Sequence, residues 1–144
     1  MQRRKFIRNS SLAFSGIVLT KDLFERSYQR SYGYNGMLYT LDTSWSKCDS
    51  GRYPVNDCHE MVQDAKGRIL LLTNETHNNL MIYDTNGQLM DSWGHDFPGA
   101  HGLTLHNENG TEFLYITDTE KHQVYKTTMD GKVLLTIDAP LDAG

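Results

Sequence analysis

Two histidines, His59 and His101, stand at matching places in two stretches of this chain and lie 42 residues apart. Imidazole can carry a proton, accept or donate a hydrogen bond, or ligate a metal, so a repeated histidine is the first place to look for chemistry. Two segments downstream of these histidines add further groups. Residues 74–79 carry Glu75 and His77, and residues 118–122 carry Asp118, Glu120 and Lys121. If both segments are loops at one end of a repeated unit, then His77, Glu75, Asp118 and Lys121 are candidates for holding a ligand there. Asp118 and Asn74 also suit the role of capping a turn by accepting from nearby backbone amides.

The elements that must position these groups follow from the repeat itself. His59–Gly94 can be laid on His101–Asp138. Leu72-Thr73-Asn74 matches Ile116-Thr117-Asp118 at a spacing of 44, and Gly87 matches Gly131 at the same spacing. A period in the low forties with strand-like content marks a β-propeller blade of four antiparallel strands. In the first unit the strands are expected at 59–63, 68–73, 80–83 and 88–93. The second is nearly continuously apolar, as suits a strand covered on both faces. Asn86-Gly87 reads as a tight hairpin turn. In the second unit they are expected at 102–105, 113–117, 123–126 and 132–137, with Asp130-Gly131 as the turn. No stretch has helical spacing, so the fold class is all-β. The units occupy about residues 55–97 and 98–139. Upstream, 37–42 reads as one lone strand, of the kind that closes a propeller ring. Two blades and a strand do not close a ring, so the chain reads as part of a larger propeller with an apolar sheet face left to cover.

Bulk properties narrow the partners. The 144 residues carry a formal net charge of −4, with 22% charged and 38% hydrophobic residues. No basic stripe is present, which argues against nucleic acid or an anionic membrane surface as partner. The one apolar run of note lies at the N-terminus, behind Arg3-Arg4, Phe6-Ile7 and Arg8. That arrangement resembles a twin-arginine export signal over residues 1–30, which implies a periplasmic or extracellular protein with no other membrane segment. In such a compartment Cys48 and Cys58 are either a loop staple or two unrelated thiols.

At His101-Gly102-Leu103, Thr117-Asp118 and His122-Gln123-Val124-Tyr125-Lys126 the chain resembles a blade of the NHL-repeat propellers, and among them the peptidyl-hydroxyglycine amidating lyases. The resemblance covers about residues 55–138 and implies a six-bladed ring. It also implies a zinc ion in the central channel, held by histidines that open the innermost strands, a place that His59 and His101 fill. A catalytic zinc takes about three protein ligands, so a third must come from elsewhere. The family's catalytic tyrosine and arginine sit in loops such as 74–79 and 118–122, which here contain neither. The expected function is therefore an exported NHL-type propeller that binds a small molecule, peptide or protein at its channel end. The competing expectation is a zinc-dependent lyase.

Overall fold

The computed structural model describes residues 31–140, which are all-β, with antiparallel sheets and no helix among the described residues. The chain divides into two compact units, Met1–Thr43 and Ser44–Gly144. The expected export signal lies outside the described residues.

In the first unit, β1 (Ser31–Tyr34) and β2 (Met37–Thr40) form a hairpin in the register Ser31↔Thr40 to Tyr34↔Met37. The strand expected alone at 37–42 thus has a partner and ends at Thr40. Its turn is Asn35-Gly36, with φ of 53° and 79°, the pair of positive angles that a two-residue type I′ hairpin needs.

The second unit holds two four-stranded antiparallel sheets, a coarse architecture compatible with part of a β-propeller. One contains β3 (Cys58–Gln63), β4 (Ile69–Thr73), β5 (Leu80–Tyr83) and β6 (Leu89–Trp93) in that order. The other contains β7 (Ala100–Glu108), β8 (Thr111–Asp118), β9 (Gln123–Thr128) and β10 (Val133–Asp138), again in chain order. All eight strands lie where the sequence pattern places them, within a few residues.

Three of the turns share one construction. Asp64, Asp84 and Thr128 each accept a backbone bond from a glycine three residues on, Gly67, Gly87 and Gly131. Each also receives the amide of the fourth residue on its own side chain. Only the glycine takes a positive φ, so Asn86-Gly87 is not the two-residue turn expected of it. That geometry occurs instead at Asn109-Gly110, with φ of 51° and 90°, between β7 and β8.

The sheets pack through Leu70, Leu72, Leu80 and Ile82 on one side and Leu103, Leu114, Ile116 and Tyr125 on the other, joined by Phe97 and Ala100. Each fully buried Leu or Ile contributes about 1.5–3 kcal/mol relative to exposure. A tryptophan fastens the outer corner: Trp93 lies on Gly131, where a Cβ would come within 2.7 Å of its ring, and its Nε1 donates to the Met129 carbonyl at 3.2 Å. The first sheet receives the same fitting from Trp45. It lies over Gly87, its Nε1 donates to the Thr85 carbonyl at 3.2 Å, and its ring meets Tyr83 at 5.5 Å. The chain from Ser44 onward therefore covers the second face of the first sheet, where Met81 and Tyr83 are buried.

Candidate functional site

β3 and β7 are the edge strands of their sheets and lie side by side. Each begins with a bulge. The register of β3 on β4 shifts between Cys58 and Glu60, and that of β7 on β8 between Ala100 and Gly102. The extra residue is His59 in one and His101 in the other. A bulge leaves its residue out of the ladder and re-aims the side chain, which is how two exposed imidazoles come to face each other. Their ring centroids are 4.2 Å apart with planes 24° from parallel, a face-to-face stack. One residue further along, Glu60 Oε2 accepts the Leu103 backbone N–H at 2.7 Å and bridges the two edge strands directly.

This arrangement bears on the zinc expectation. Two imidazoles on one tetrahedral zinc, with bonds near 2.0–2.1 Å, hold their ring centroids about 5 Å apart and splayed. The observed stack is closer and flatter, so both rings would have to turn to share an ion. Among the described residues no group of three His, Cys, Asp or Glu side chains is arranged to hold a metal. As they stand, His59 and His101 do not fit a mononuclear zinc centre.

The loops 74–79, 94–99 and 119–122 lie at the same end of their sheets as the starts of β3 and β7. Within them the expected ligand-binding residues are engaged with protein. Glu75 and His77 contact each other at 2.5 Å, and the His77 hydrogen bonds hold the Glu75 carboxyl below its usual range. Lys121 Nζ donates to the Asp96 carbonyl at 2.5 Å. Asp118 is buried, and its carboxylate accepts the amides of Gly99, Glu120 and Lys121. That makes it a turn cap, with its oxygens committed. Asn74 does not cap in the first sheet. Thr73 does, accepting the Glu75 and Asn56 amides on its hydroxyl and donating to the Asn56 carbonyl. His77 and Glu75 remain accessible at the rim, with His77 the more exposed.

The capping pair Thr73 and Asp118 shows that β4 matches β8 at a spacing of 45, one more than the Leu72/Ile116 alignment implies. The histidines keep 42, and Gly87 and Gly131 keep 44. The difference arises in the strands: β7 and β8 are nine and eight residues long against six and five for β3 and β4, while the connection shortens from five residues to two. It puts Leu72 on the face towards the second sheet while its structural counterpart, Thr117, lies exposed on the far face of the second sheet.

No family model, curated protein or solved structure matches this chain.

Both cysteines are free thiols. Burial raises the pKa of Cys58, partly offset by a hydrogen bond with Thr73. His95 contacts the Thr76 carbonyl through Nδ1 at 2.8 Å and ties two of the rim loops together. His122 sits just before β9 with φ of 53° and is exposed. The bridging role of Glu60 was not anticipated. The available signal was a carboxylate two residues before Val62, on a face whose other positions are apolar.

Proposed function

We propose that this chain is part of an exported, six-bladed propeller of the NHL type, directed out of the cytoplasm by its twin-arginine sequence. It works as a binding module for a small molecule, peptide or protein at the end where β3 and β7 begin. The observation that carries this reading is the stacked pair of histidines at equivalent bulges, exposed and ringed by loops. A stacked imidazole pair offers two flat faces and outward ring nitrogens to a planar or hydrogen-bonding ligand without needing a metal.

The test is a binding screen of the full chain against small molecules and peptides, with each hit repeated on His59→Ala and His101→Ala. Hits are expected to weaken at least tenfold in both variants and to be unchanged in His106→Ala, at the other end of β7. Ligands that bind equally well to all forms would remove the site from this end.

A second reading, the zinc-dependent lyase, is favoured by the equivalence of the two histidines. It requires a third ligand and reactive tyrosine and arginine side chains that the two loops lack. Calorimetric titration with Zn²⁺ separates the readings. Stoichiometric binding lost in either histidine variant supports the lyase, and absence of binding supports the metal-free module.

A further inference from the structure

We infer that Glu60 is the positioning residue of the histidine pair: its carboxylate, by capping the Leu103 amide, fixes the distance and angle between His59 and His101. The inference rests on the reading of that pair as the binding site, but it is tested without any ligand.

β3 and β7 belong to different sheets and have no ladder between them. Each is an edge strand, and the outward N–H of an edge strand is an unpaired donor. The Leu103 N–H is such a donor, and Glu60 Oε2 satisfies it at 2.7 Å. A hydrogen bond to a charged acceptor is shorter and roughly twice as strong as one between neutral groups. It is also directional, which a hydrophobic contact is not. The apolar core between the sheets resists separation but tolerates a slide of one edge strand along the other. A stack with centroids at 4.2 Å does not tolerate it, because an offset of one residue along a strand is about 3.3 Å.

Glu60 is well placed to prevent that slide. It follows His59 directly, and Leu103 is two residues past His101, so the bridge lies immediately beyond the rings on both strands. Its chemistry is not repeated: the residue 42 positions on is Gly102, which has no side chain to cap a further strand. Gly102 instead gives its amide to Thr117 Oγ1 at 2.8 Å within its own sheet. One carboxylate thus serves the single junction at which the two histidines meet.

The experiment is solution NMR on the full chain and three variants. Glu60→Gln keeps an acceptor oxygen at the same reach, Glu60→Asp keeps the charge but shortens the reach by one methylene, and Glu60→Ala removes both. Two readouts are taken: exchange of the Leu103 amide, and the cross-relaxation between the ring protons of His59 and His101. In Glu60→Ala and Glu60→Asp the Leu103 amide is expected to exchange at least tenfold faster and the ring-to-ring signal to fall severalfold. The amides of Leu114 and Ile116 in the core should be unchanged. Glu60→Gln should restore most of both signals. If the ring-to-ring signal survives intact in both Glu60→Ala and Glu60→Asp, the inference is overturned. Should it vanish in those variants while ligand binding is unaffected by any histidine substitution, Glu60 positions the pair and the pair is not the binding site.

Discussion

The two sheets of the second unit are built on one plan but are not equally enclosed. In the first, every residue of β5 is buried, because the second sheet covers one face and the chain around Trp45 covers the other. In the second, burial on β8 and β9 centres on the residues facing the first sheet, and every residue of β10 is exposed, with Leu135 and Ile137 about half accessible. The same strand plan therefore gives a sealed sheet where both faces find a partner and a half-wet sheet where one does. The tryptophan fittings make the equivalence physical: Trp45 stands to Gly87 as Trp93 stands to Gly131. What differs is the partner supplied to each face.

The largest expected effect separates sealed from open positions. Leu72→Ala, in the joint core, should cost about 2–5 kcal/mol in denaturant unfolding. Leu134→Ala, on exposed β10, should change stability by no more than about 0.5 kcal/mol. Equal losses would mean that the second sheet is covered in solution by something that shields β10.

The two tryptophan seats come next. Gly87 and Gly131 both have positive φ, so alanine costs about 1–2 kcal/mol at each from the backbone alone. At Gly87 the new Cβ would lie 1.8 Å from the Trp45 carbonyl oxygen, whereas at Gly131 it meets ring atoms of Trp93. Backbone yields less easily than a side chain, so Gly87→Ala should be the more damaging and should increase Trp45 fluorescence exposure. A larger loss at Gly131 would show that the Trp93 seat is the more rigid of the two.

How much of this was legible in the sequence depends on the range of the signal. Strands β3 to β10 were legible because hydrophobic patterning and turn glycines are local. Asn35-Gly36 carried an equally local hairpin signal, but Ser31–Tyr34 is only four residues long and is interrupted by Gly33, so it does not read as a strand beside it. The spacing of 45 between β4 and β8 was hidden because longer strands and a shorter turn change the count inside a repeat whose first histidines and turn glycines still align by eye. Of the site, the histidine pair could be read from the repeat. The bulges, the Glu60 bridge and the commitment of Asp118 to three amides could not, since each depends on contacts between segments far apart in the chain.

A smaller effect is the response to acid. Backbone donation from Gln88 and its neighbours holds the Asp84 carboxyl below its usual range, and Lys126 with Tyr115 does the same for Glu108. A depressed carboxylate adds stability that is present above the ordinary carboxylate range and is lost as pH falls through the folded-state value. Thermal stability should therefore decline below that range. Asp84 has Thr128 as its counterpart in the second sheet, and a hydroxyl does not titrate there. Asp84→Thr should blunt the acid loss, and an unchanged pH profile would assign it to other carboxylates.

The central claim is that two equivalent bulges bring His59 and His101 face to face at the shared end of the sheets. It is tested most directly by cross-relaxation between the ring protons of the two histidines in the unmodified full chain at neutral pH. Centroids at 4.2 Å predict strong ring-to-ring signals, both abolished by either alanine substitution. Well-resolved ring resonances with no signal between them would contradict the account.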